Sequence, residues 1–212
     1  MPDHQAARTP SVSASDELVW VERARRGDQD AFARLVERYQ VPVYHLAYRM
    51  LGNAAEAEDA AQETFVRAYT RLHTYRPEHK FSTWLLSIAS HYCIDRLRRR
   101  RYVWLSADEE PIRHQLQQRT NSASPETAAM EAERRVEIQT LLDQLDPMYR
   151  TPVILRYWYD LSYKEIAEVM EISEAAVKTR LHRARLQLAD ALQEDADTET
   201  LSHLPGQRAS RG

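Results

Sequence analysis

Apolar residues in this chain never run more than four in a row (Leu18 to Val21 and Tyr102 to Leu105); they recur at the three- and four-residue spacing of a helix face. Phe32, Leu35, Val36 and Tyr39 open one such stripe, and Val43, Leu46, Ala47 and Met50 resume it beyond Pro42, which breaks or kinks the helix. Runs this short exclude a transmembrane helix and so membrane insertion. With 4 Gly and 9 Pro, turn formers are too scarce for a sandwich or barrel of many short strands. The expectation is an all-α fold, and 212 residues suffice for two small helical domains with a core each.

Residues 1–15 are polar and read as a disordered arm. In the first helical domain, 16–101, Gly52 is a helix stop, and Asn53 with Glu56 caps the next helix. The stripe Ala61, Phe65, Ala68 and Leu72 is expected to be buried. A loop spans His73 to Lys80, and Ser82 caps a last long helix with Leu85, Ile88, Ala89, Tyr92 and Leu97 inside. Residues 102–135 read as a flexible acidic linker, because 113–127 holds only Leu116 and Ala123 as apolar residues. A second helical domain, 136–192, has Asp146 and Pro147 as N-cap and first helical position, with a bend at Pro152. A flexible tail, 193–212, follows.

The sharpest motif is LSYKEIAEVMEISEAAVKTRLHRARLQL, laid out as a helix-turn-helix. Ser162 and Glu165 form a capping box, Glu171 and Ile172 the turn, and Ser173 caps the second helix. Val177, Leu181, Ala184 and Leu188 make one stripe, leaving Ala175, Thr179, His182 and Arg183 opposite, flanked by Lys178, Arg180 and Arg185. From Lys178 to Arg185 there are four fixed positive charges, one histidine and no acid, although the whole chain carries −3. A solvated basic face would show the charge alone. The caps and tight turn beside it point to a recognition helix, with small and hydrogen-bonding residues at base edges and cations at phosphates.

The first domain carries two further surfaces. Asp59, Gln62, Glu63 and Arg67 share a helical strip, which physics alone reads as solvated surface favoured by the helix dipole. Arg96, Arg98, Arg99, Arg100 and Arg101 end the long helix, more cations than a helix C-terminus needs, and suit phosphate. Tyr75 and Phe81 border a cationic loop, where unstacked bases could lie on them; Trp84 and Tyr92 read as core.

The stretches DAFARLVERY, VYHLAYRMLGN, AEDAAQETFVRAY, KFSTWLLSIASHYCIDRLRRRR and LLDQLDPMYRTPVILRYWYDLSYKEIAEVMEISEAAVKTRLHRARLQLADAL together resemble bacterial RNA polymerase sigma factors of the extracytoplasmic-function (ECF) type. The resemblance implies that the first domain recognises and melts the promoter −10 element and docks on the β′ clamp of core RNA polymerase. The docking strip would be Asp59, Gln62, Glu63 and Arg67, and the −10 surface His79, Lys80, Phe81, His91, Asp95, Arg98 and Arg99. The second domain would meet the β flap and read the −35 element through Ser173, Ala175, Lys178, Thr179, Arg180, His182, Arg183 and Arg185. Core polymerase, promoter DNA and an anti-sigma factor are the implied partners.

Cys93 is the only cysteine, so no intramolecular disulfide forms; no ligand spacing suggests a metal or other cofactor, and a cytoplasmic protein is expected. The N-terminal stretch has no apolar core of a secretory signal. An enzyme would need converging carboxylates or an activated nucleophile, and Asp108, Glu109 and Glu110 merely adjoin one another. The alternative is a stand-alone helix-turn-helix regulator that forms no holoenzyme.

Overall fold

The computed structural model describes residues 14–106 and 125–202. Among them are eight α-helices, one 3-10 turn and no strand. The helices are α1 (Ala14–Arg25), α2 (Gln29–Leu51), α3 (Ala54–Arg71), α4 (Phe81–Ser106), α5 (Pro125–Gln144), α6 (Pro147–Trp158), α7 (Tyr163–Met170) and α8 (Glu174–Ser202).

Local chemistry sets most of the boundaries. Asp28 caps α2 by accepting the Ala31 N–H, and Asn53 caps α3 by accepting that of Glu56. Gly52, at φ 70°, ends α2 in the left-handed region, and its N–H donates to the Tyr48 carbonyl. Asp146 accepts the Met148 N–H, and Pro147, which has no N–H to orphan, starts α6.

Several expectations are corrected. Helix α2 is not broken at Pro42 but runs on to Leu51. Helix α4 starts at Phe81, with the Trp84 N–H on the Lys80 carbonyl, so Ser82 lies inside it rather than capping it. The most deeply buried residues of α3 are Ala57, Ala60, Thr64 and Ala68, with Ala61 and Phe65 only partly covered. Helix α1, which has no counterpart in the sequence reading, buries Val21 and Ala24. Helix α5 begins at Pro125, inside the expected linker, and α8 continues to Ser202, inside the expected tail. The acidic triplet 108–110 and most of the N-terminal arm lie outside the described residues.

One apolar core runs through both halves: Leu35, Leu46 and Met50 of α2 with Leu85 of α4, then Ile154 and Leu155 of α6, Ile166 of α7 and Leu181 of α8. The last carbonyls of α2 lie at the junction, where a helix has no partners of its own to offer them. Arg49 O accepts from Gln139 Nε2 at 3.3 Å, Met50 O from Arg150 Nη1 at 2.6 Å, and Leu51 O from Arg100 Nη1 at 3.4 Å. Two of those donors come from α5 and α6, so the C-terminal half completes a helix of the N-terminal half. Cations there also face the negative end of the helix dipole. The Tyr159 hydroxyl adds a bond to the Pro42 carbonyl.

Candidate nucleic-acid interface

The helix-turn-helix is built from its caps. Ser162 Oγ accepts the Glu165 N–H at 3.2 Å, and Glu165 Oε2 accepts the Ser162 N–H at 2.8 Å, a complete capping box on α7. Glu171 turns the chain at φ 53°, and Ile172 N–H donates to Ala167 O. Ser173 Oγ then accepts the Ala176 N–H and starts α8. Val177, Leu181 and Ala184 are buried and Leu188 partly so, which fixes the rotation of α8.

That rotation leaves Ser173, Ala175, Lys178, Thr179, His182, Arg183 and Arg185 exposed, with Arg180 half-buried. Two arginines are held from α6. Arg183 Nη1 donates to the Tyr149 hydroxyl at 3.3 Å, and Arg185 Nε to the Tyr157 hydroxyl at 3.4 Å. Sequence reasoning missed both tyrosines, since nothing local to α6 marks them as neighbours of α8.

In the N-terminal half the loop before α4 presents His79 and Lys80 to the surface, but not Phe81. Phe81 is 1% exposed, packed among Tyr39, Tyr75 and Trp84 with ring centroids 5.5–5.6 Å apart. Tyr75 is buried too, and its hydroxyl donates to the His79 carbonyl at 2.7 Å. Neither ring is a stacking platform here; together they form the floor that shapes the loop. On α4, His91 is half-buried, and Asp95, Arg98 and Arg99 are exposed.

The arginine run divides by helical phase. Arg96 and Arg100, four apart, turn toward α3: Arg96 lies 3.4 Å from Glu56 and 3.9 Å from Asp59, and Arg100 pairs with Glu56. Those two hold α4 to the start of α3 rather than standing free for phosphate, while the Arg101 side chain lies outside the described residues. The strip on α3 keeps Asp59 and Gln62 exposed, and Glu63 binds Arg67 at 2.7 Å. Arg67 also lies over the Tyr92 ring, 4.8 Å from its centroid. Beside it, Glu56, Tyr92, Asp95, Arg96, Arg99 and Arg100 line a cleft of about 380 Å³. No group of three or more potential metal ligands occurs, and no helix is long and apolar enough to cross a membrane, among the described residues. Burial pushes the Cys93 thiol up to about 12, which leaves it protonated and inert.

Fold and surface together define an all-helical protein of the helix-turn-helix class, joined to a second helical half with its own exposed polar faces. The Sigma-70 region 2 family matches residues 35–102, and the Sigma-70, region 4 family matches residues 135–188. The ECF RNA polymerase sigma factor SigW of Bacillus subtilis (strain 168) is 40% identical over 178 residues, covering 82% of this chain and 95% of that protein. The RNA polymerase sigma-H factor of Pseudomonas aeruginosa is 35% identical over 177 residues, covering 82% and 92%. The structure of CnrH in complex with the cytosolic domain of CnrY superposes at a TM-score of 0.63 with 26% identity, covering 85% of this chain and 99% of that one. The sigma factor RpoE of Bartonella quintana, in complex with the anti-sigma factor NepR, shares the fold at a TM-score of 0.61 with 19% identity, covering 76% and 96%. The chain belongs to the ECF family of RNA polymerase sigma factors, and a sigma factor rather than a stand-alone regulator is what its relatives define.

Proposed function

We propose that this sigma factor binds core RNA polymerase in the cytoplasm, brings it to promoters through a −35 element read by α8 and a −10 element read by the N-terminal half, and helps open the duplex. It acts by binding, not by catalysis. The observation that carries the reading is the face of α8: Lys178, Thr179, His182 and Arg183 stand exposed on a helix whose opposite stripe is buried, as major-groove entry requires. In the N-terminal half the −10 surface comprises His79, Lys80, His91, Asp95, Arg98 and Arg99, with Phe81 shaping the loop from beneath. Asp59, Gln62, Glu63 and Arg67 form the polymerase docking strip, and the C-terminal half meets the β flap.

Each half offers few DNA contacts, so tight promoter binding needs both held at fixed separation by the polymerase, which raises effective concentration. An anti-sigma factor is the proposed regulator, by analogy with the sigma factor RpoE of the same fold, solved in complex with the anti-sigma factor NepR. The test is transcription with its own organism's core polymerase on pooled genomic templates, followed by mapping of the start sites. A defined set of promoters fired only when the chain is added supports the reading; no initiation above core alone on any template rejects it.

A further inference from the structure

Helix α8 carries an arginine on each flank of its exposed face. Arg183 and Arg185 stand two positions apart, about 200° around the helix axis, so they reach out on opposite sides. Each is tied to a tyrosine of α6, and Arg185 gathers a second hydroxyl from α7. Its Nε donates to the Tyr157 hydroxyl at 3.4 Å. The Tyr157 hydroxyl, and after it the Tyr163 hydroxyl at the start of α7, pushes the guanidinium pKa above its ordinary value. Tyr163 lies in turn against Arg156, whose guanidinium is 5.7 Å from the ring centroid and whose Nη1 donates to the Leu161 carbonyl at 2.9 Å. Tyr157 is 59% exposed, so most of its ring lies outside the core that joins α6 to α8. What the residue adds at this place is its polar end. While Tyr157 Oη accepts from Arg185, it keeps its own O–H to donate outward. The two hydroxyls share the guanidinium's protons without cancelling its charge, unlike Glu56, which pairs with Arg96 and Arg100 on α4.

We propose that Arg185 and Tyr157 form a clamp for one backbone phosphate of the −35 duplex, with Tyr163 holding Arg185 in place. The inference rests on the assignment of α8 to the −35 element. A phosphodiester offers two anionic oxygens, one for the Arg185 guanidinium and one for the Tyr157 hydroxyl. Base edges are met from the middle of the exposed face, around Thr179 and His182, and Arg185 stands off that middle, drawn toward α6. Tethering has its own effect. An arginine already held by hydroxyls loses less rotamer freedom when it meets DNA than one that swings in solvent. Tyr163 is therefore a positioning residue, whereas Tyr157 both positions and touches.

The test is a scan of the promoter backbone with methylphosphonate, a linkage that removes the charge of one phosphate at a time. Holoenzymes with the wild-type chain, Arg185→Gln, Tyr157→Phe and Tyr163→Phe are titrated against duplexes that carry it at successive −35 positions. On unmodified DNA, Arg185→Gln should bind about tenfold more weakly at every −35 sequence, with a salt slope lower by about one. Tyr157→Phe should lose about threefold. At one backbone position the neutral linkage should weaken wild type about tenfold and leave Arg185→Gln unchanged, because the contact is already gone. No such position, in a wild-type holoenzyme that still prefers its −35 element, overturns the clamp. Tyr157→Phe that matches wild type on every duplex overturns the part given to its hydroxyl. Tyr163→Phe should lose affinity on unmodified DNA and none where that linkage is neutral; equal losses on both overturn its positioning role. Variants that fold but do not assemble with core polymerase would give the pair to a protein contact and overturn the clamp. A wild-type holoenzyme with no −35 preference rejects the assignment of α8 itself, and the clamp with it.

Discussion

Arg183 and Lys178 share the exposed side of α8, but their surroundings differ. Arg183 is braced by the Tyr149 hydroxyl, and no such tie from α6 is seen for Lys178. A braced guanidinium can meet a base edge in two parallel bonds, whereas a free ammonium acts as a point charge on the backbone. Arg183→Ala should therefore relax preference at one −35 position and cost ~1–3 kcal/mol of holoenzyme binding to the preferred site. Lys178→Ala should weaken binding across all −35 sequences alike and lower the salt slope by about one phosphate contact. Binding titrations of the two holoenzymes against −35 variants at several salt concentrations separate the outcomes; if both variants match wild type throughout, α8 meets DNA by another face. Tyr149→Phe keeps the ring and removes the brace, so it should reproduce part of the Arg183→Ala effect.

At the scale of the element, α7 depends on its capping box, and Ser162→Ala should cost about 1 kcal/mol in thermal or chemical unfolding. Glu165 sets a pH dependence with a definite sign. Its carboxyl is depressed to about 2, first by the Lys80 ammonium and then by the Ser162 amide and hydroxyl, from an ordinary value of 4.5. A group depressed in the folded state stabilises above its unfolded value, and that contribution fades as pH falls from 4.5 toward 2. Urea midpoints across that window should fall more steeply for wild type than for Glu165→Gln, which has no proton to gain; parallel curves would show the carboxylate uncoupled from folding.

The same scale shows what was legible in the residues. Caps were, because Asn53, Asp146, Ser162 and Ser173 act on amides two or three positions away. The stripe of α8 was, because Val177 and Leu181 contrast sharply with Lys178 and Arg180. The stripe of α3 was legible in part: Ala68 and Leu72 are buried and Ala61 and Phe65 partly so, but Ala57 and Ala60 lie deeper than those two, because alanines give little contrast in size or polarity and the choice passes to close packing, which the pattern does not encode. Helix α1 was missed since four consecutive apolar residues, Leu18 to Val21, carry no periodicity; the fold buries Val21 and leaves Leu18 and Val19 exposed. Phe81 looked like a stacking ring by its cationic neighbours, but a large aromatic buries more favourably than it stacks when a pocket exists. The pairs His79–Glu168 and Lys80–Glu165 join residues 89 and 85 positions apart, beyond the reach of any local rule.

For the molecule as a whole, the end of α2 shows how the halves depend on each other. Arg150 reaches from α6 to the Met50 carbonyl, lies 2.9 Å from Asp143, and donates to the Leu145 carbonyl at 3.2 Å. Arg150→Met keeps bulk and loses the donors, leaving two buried carbonyls short of a partner at about 1–3 kcal/mol each. Because the core is continuous, calorimetry should show one transition for wild type, and Arg150→Met should lower it or split it in two. The exposed strip on α3 behaves differently. Asp59 and Glu63 contribute little to that core, so Asp59→Lys with Glu63→Lys should leave the transition within a few degrees of wild type, since surface changes are worth about 0.5 kcal/mol. Yet the same pair should abolish association with core polymerase, since two reversed charges at a desolvating contact repel where they attracted. Co-purification of the doubly substituted chain with core enzyme at wild-type yield would remove the strip from the docking surface, and loss of the thermal transition would reassign both acids to folding.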